Sequence, residues 1–93
     1  MLRIHIEEKC ESATIRLEGR LSGPWVDELE RCWRNALAQL QNGTMVIELD
    51  TVTFVDALGR SLLAEMHSAG AILVGRGALS RYLAEQIQRR RSG

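Results

Sequence analysis

The 93-residue sequence predicts an α/β fold: one domain holding a mixed four-stranded sheet, in the order β-β-α-β-α-β-α, with its helices mainly on one face. Three observations predict it. Apolar and polar residues alternate in three separate stretches, the mark of strands buried on one side only. A long segment of helical period lies between the second and third of these, and a second one follows the third. Strand–helix–strand crossovers join parallel strands and are right-handed. Because a sheet covered on both faces would read as continuous apolar runs, the alternation leaves one face wet, and strand order 1-2-3-4 puts the helices together on the other.

Leu2, Ile4 and Ile6 interleave with Arg3, His5 and Glu7, and Ala13, Ile15 and Leu17 interleave with Thr14, Arg16 and Glu18. Both read as half-buried strands. The short polar stretch around Cys10-Glu11-Ser12 suits an antiparallel hairpin. From Trp25 to Leu40, the residues Trp25, Val26, Leu29, Cys32, Trp33, Ala36, Leu37 and Leu40 fall in one arc of roughly 140° at ~100° per residue. This is an amphipathic helix. Pro24 suits its first position, Asp27 and Glu28 suit its positive end, and Asn42-Gly43 reads as a left-handed stop. Asp27 with Arg31 and Glu30 with Arg34 form i,i+4 pairs on its wet side.

The third strand points Met45, Ile47 and Leu49 inward, and residues 51 to 55 then lead to Asp56, a good N-cap. A second helix follows to about Ala69, with Gly70 as its stop. On its wheel Leu58, Gly59, Leu62, Leu63 and Met66 form the core side, while Ala57, Arg60, Ser61, Ala64, His67 and Ser68 face outward. A short fourth strand at Ala71 to Val74 and a last helix from about Ala78 to Gln88 complete the chain, and residues 89–93 read as a frayed basic tail.

Composition narrows the function classes. Twelve Lys and Arg balance twelve Asp and Glu, so no general field draws in nucleic acid, whose binding leans on Lys and Arg neutralising phosphates. The longest apolar run, Ala71 to Val74, is far short of the ~20 residues of a membrane span, and no signal-peptide pattern opens the chain. A cytoplasmic location without membrane insertion is expected. Cys10 and Cys32 lack the spacing of a metal site or a disulfide framework and read as reduced thiols. Phosphate-loop, nucleophile-elbow, zinc-helix and dinucleotide motifs are absent, so neither catalysis nor a cofactor is expected.

The informative place is the junction Phe54-Val55-Asp56-Ala57-Leu58-Gly59-Arg60-Ser61, where a strand ends and a helix begins. Outward N–H groups and the helix dipole there suit an anion or a phosphorylated side chain. Ala57 sits near the middle of the exposed face, among short side chains with Arg60 at the rim. A partner can approach such a surface closely.

The stretches Ile15-x-Leu17-x-Gly19-x-Leu21 and Val46-x-x-Leu49-Asp50-x-x-x-Phe54-Val55-Asp56-x-x-Gly59, with Leu62-Leu63 through Gly70, resemble a STAS domain. This is the domain of anti-sigma factor antagonists and of sulfate transporter tails. The resemblance spans Leu2 to about Ile87 and implies the fold that alternation gave independently. In the family's regulatory members the residue after that aspartate is a Ser or Thr, phosphorylated by a cognate kinase that is often itself the anti-sigma factor. Here it is Ala57, which has no hydroxyl. Arg60 also stands where an apolar residue is common in the family.

The resemblance therefore implies a non-catalytic interaction module that docks a protein partner through Asp56, Ala57, Leu58, Gly59, Arg60, Ser61 and Ala64, without the usual phosphorylation switch. An anti-sigma kinase-like ATPase is the implied partner. Three alternatives stay open: a switch moved to Ser61, a subunit or adaptor of a transporter ATPase complex, and a small-anion or nucleotide pocket at the helix start. The first strand is expected at the sheet edge, where its unpaired backbone can pair with a second copy in a homodimer. The charges of the wet face, Arg3, Glu7, Arg16, Glu18 and Glu48, read as cross-strand pairs.

Overall fold

The structure, a computed structural model, describes residues 1–9, 11–40, 43–75 and 85. Its elements are β1 (Leu2–Lys9), β2 (Ser12–Leu21), α1 (Pro24–Gln39), β3 (Thr44–Val55), α2 (Ala57–Ser68) and β4 (Ile72–Val74). The expected last helix and basic tail lie outside the described residues. The strands form one sheet in the order β1-β2-β3-β4, with β1 antiparallel to β2 and the other two pairings parallel. This is the predicted topology.

One apolar cluster holds the layers together. Ala13, Ile15, Leu17, Met45, Ile47, Leu49 and Leu73 of the sheet meet Val26, Leu29, Trp33 and Ala36 of α1 and Leu62, Leu63 and Met66 of α2, all buried. Each fully buried Leu or Ile contributes about 1.5–3 kcal/mol relative to an exposed one, so the cluster fixes both helices on the same face. Trp25 is half-buried against the cluster, whereas Leu37, at the margin of the α1 arc, is exposed. Ile6 points to the helix side yet is also exposed, on the strand at the sheet edge. The opposite face carries the charges, with Arg16 to Glu48 at 3.2 Å and His5 to Glu18 at 2.6 Å.

Strand β3 is longer than the alternation predicts. Its register against β2 shifts twice, between Arg16 and Glu18 and again between Gly19 and Arg20, and each shift inserts one extra residue into β3. Such a bulge moves the inward set by one position. Met45, Ile47 and Leu49 are followed inward by Val52, and the Thr51 hydroxyl donates to the Leu17 carbonyl at 2.9 Å beside the first bulge. Residues 51 to 55 therefore belong to the strand, and β3 reaches Asp56 in step with the end of β2.

Two local expectations change. Arg31 pairs with Glu28 rather than Asp27, while Arg34 bonds Glu30 as expected and also reaches Glu65 of α2 at 2.7 Å. Gly43 does not adopt the left-handed conformation. A side chain there would strike the Glu11 carbonyl, so closeness to the β1–β2 turn is what favours glycine.

Candidate functional site

Two segments meet where β2 and β3 finish: the turn from Leu21 into α1 and the turn from Val55 into α2. The Asp56 N–H donates to the Leu21 carbonyl at 3.1 Å and ties the two strand ends together. Asp56 itself has extended backbone, as an N-cap residue should, and its Oδ1 accepts the Gly59 N–H at 2.7 Å. Its other oxygen, Oδ2, accepts the N–H of Gly23 at 3.0 Å. Gly23 is the residue before α1, and no side chain of its own turn caps that helix. One carboxylate thus serves both helix starts.

The electrostatics follow from these bonds. The amides of Gly59 first and Gly23 second favour the ionised carboxylate and hold Asp56 below its ordinary value of 3.8. The two glycines work differently. Gly23 has φ +58° and ψ −137°, a conformation that a side chain would strain. Gly59 is buried, and an added Cβ would lie 2.9 Å from the Leu21 carbonyl oxygen and 3.0 Å from a Val55 methyl. Its lack of a side chain seats the first turn of α2 directly on the end of β2.

Above this framework Ala57, Arg60 and Ser61 are exposed, Asp56 and Ala64 are half-buried, and Gly59 lies beneath the surface. Leu58, expected on the core side, is 67% exposed. It stands at the border of the apolar arc in the first helical turn, so the core closes with Leu62 and Leu63 and leaves it outside. Phe54 is 43% exposed, with the Arg20 guanidinium 4.7 Å from its ring centre. The exposed residues next to Ala57 are thus of mixed character, Leu58 apolar, Arg60 charged and Ser61 small and polar.

Sequence reasoning missed Gly23 and Arg20. The Gly23–Asp56 bond joins residues distant in the chain, and no local pattern announces it, whereas glycine just before Pro24 was a readable sign of a special turn. Among the described residues no group of three or more His, Cys, Asp and Glu side chains gathers as a metal ion would need. Cys32 is a free, half-buried thiol whose burial, with Glu28 nearby, pushes its pKa up, the opposite of a reactive cysteine. No helix among the described residues is long and apolar enough to cross a membrane.

Solved structures share this architecture. A crystallised anti-sigma factor antagonist from Mycobacterium paratuberculosis superposes with a TM-score of 0.81 at 18% identity, covering 99% of this chain and 82% of that one. The chain has the fold of the anti-sigma factor antagonists. The antagonist SpoIIAA in its unphosphorylated form superposes with a TM-score of 0.68 at 23% identity, over 98% of both chains. An uncharacterized protein from Shewanella loihica with a SpoIIAA-like fold gives 0.62 at 12% identity, over 96% of this chain and 78% of that one. No protein-family model matches the chain, and no curated protein matches it in sequence. At these identities the likeness is one of fold, so function is argued from the site.

Proposed function

We propose that the chain is a regulatory protein-interaction module that docks a protein partner through the start of α2, and that it works without a phosphorylation switch at Ala57. The observation that carries this reading is the exposure of Ala57 on a rigidly held helix start. Its neighbours Leu58, Arg60 and Ser61 are exposed as well, and all stand on a turn whose backbone Asp56 and Gly59 hold in place. An exposed Leu beside short side chains offers apolar area and close approach, the features of an interface centre. The resemblance of the junction to the STAS motif supports an anti-sigma kinase-like ATPase as the partner, and the antagonist fold accords with it. Such a partner would make the protein an antagonist that a kinase cannot silence at the usual position.

Ala57→Glu tests the reading, because it sets a negative charge on the exposed face without entering the core. Wild type and variant are compared as baits in native lysate, with bound proteins identified by mass spectrometry and melting temperatures measured in parallel. A kinase-like ATPase retained by wild type and lost by Ala57→Glu, at an unchanged Tm, is the expected result. Equal retention by both baits would remove the docking surface from this helix. Recovery of a transporter ATPase instead would keep the surface and change the role.

A further inference from the structure

We infer that the outer edge of β1 is a homodimerisation surface, on which a second copy of the chain adds its own β1 antiparallel and continues the sheet. Among the described residues β1 is the terminal strand, paired only with β2. It runs for eight residues, contains no proline, and pairs with β2 without a register shift. Native edges are commonly blunted by proline, bulges, shortness or charge. This one uses none of the first three, and its guard is charge alone, carried by Arg3, Glu7, Glu8 and Lys9.

The direction of its free backbone follows from the hairpin. The Met1 carbonyl accepts the Arg20 N–H at 3.1 Å, and in an antiparallel ladder the directly bonded pairs alternate, so Arg3, His5, Glu7 and Lys9 bond to β2. The N–H and C=O groups of Leu2, Ile4, Ile6 and Glu8 therefore point away from the sheet. A second β1 can meet them only where an even-numbered residue faces an even-numbered one.

The side chains then choose the register. With the two-fold axis at His5, Arg3 lies opposite Glu7 of the second copy and Ile4 lies opposite Ile6 of the second copy, each pairing occurring twice. The charges are complementary on the wet face, and Ile6, 41% exposed in the single chain, gains an apolar neighbour on the helix face. A slip by one pair in one direction sets Arg3 against Lys9 and Ile4 against Glu8. A slip in the other leaves Glu7 opposite Met1. The His5-centred register is the one of the three that sets Arg3 against Glu7 on the wet face, with Leu2 opposite Glu8 of the second copy on the helix face, and it forms about eight backbone hydrogen bonds. Among the described residues of one chain, Glu7 has the loose Lys9 contact at 3.8 Å, between exposed side chains, to compete with it. None of the residues proposed for partner docking lies on β1, so this surface stands apart from that reading.

Sedimentation equilibrium of the full chain, from micromolar to near-millimolar protein, tests it, with circular dichroism to check folding. Wild type should show a monomer–dimer equilibrium. Arg3→Glu, a change at an exposed position, sets like charges across both ends of the seam and should loosen the dimer on the order of ten-fold. Adding Glu7→Arg to it restores complementarity and should restore the wild-type constant. Ile6→Pro removes an outward N–H that β2 does not use and should abolish the dimer. The inference is overturned if wild type stays monomeric throughout, if its dimer is indifferent to Arg3→Glu, or if the double variant is no tighter than the single one.

Discussion

The two helices begin side by side at the same end of the sheet, yet their starts are built in opposite ways. Helix α2 carries its own cap: Asp56 reaches forward to the Gly59 amide, within the span that local sequence can encode. Helix α1 has Pro24 and an unusual glycine conformation but no side-chain cap of its own, and borrows the second oxygen of Asp56. One start is self-sufficient and the other depends on it. The difference teaches that the aspartate of this motif acts as a structural clamp between two loops, whatever further role it has toward a partner.

The comparison can be broken from either side. The largest effect is expected from Gly59→Val, whose side chain would be driven into the Leu21 carbonyl and Val55. Even Gly59→Ala should cost about 1–3 kcal/mol by overpacking, outweighing the roughly 1 kcal/mol that alanine gains over glycine within a helix. Urea unfolding measures both. Gly23→Ala strains only the α1 start and should cost about 1–3 kcal/mol with no collision to relieve, since open space surrounds the site.

Asp56 variants sharpen the contrast. Asp56→Ala removes both bonds and should lower Tm by about 5 °C or more. Asp56→Asn keeps one acceptor oxygen, so the α2 cap survives while the bond to Gly23 is lost, and a smaller fall is expected. Its pH dependence identifies the cause. The folded carboxyl titrates below its ordinary value of 3.8, so its stabilisation is fully present above that value and is lost as pH falls through the folded value. The Tm gap between wild type and Asp56→Asn should be constant near neutrality and close in strong acid, where a protonated carboxyl also keeps one acceptor oxygen. A gap that persists unchanged there would deny the charge its part.

What could be read from the sequence follows the range of the interactions. Strands β1 and β2, the first half of β3, the α1 stripe and the Asp56 cap were legible because each is a period or a pattern within a few residues. The end of β3 was not, because the first bulge moves the inward set from odd to even positions, so Thr51-Val52-Thr53-Phe54 alternates out of step with Met45, Ile47 and Leu49. The exposures of Leu58 and Ile6 were missed for a related reason: a wheel or an alternation gives the direction of a side chain, whereas burial also needs something to lie opposite it. At the site, the residues of the α2 start were legible and the clamp to Gly23 was not. That clamp depends on two strands ending level, which only the assembled sheet decides.

The shared carboxylate also bears on the thermodynamics of association. Loops that enter an interface mobile must be frozen there, and the lost conformational freedom weakens the complex. Here both turns are held by one side chain, and the residues displayed beside them include Ala57, with no rotamers, and Ser61, with few. Their ordering belongs to the folding of the free protein, so a partner docking as proposed would have the exposed side chains of Leu58 and Arg60 to order rather than the turns themselves.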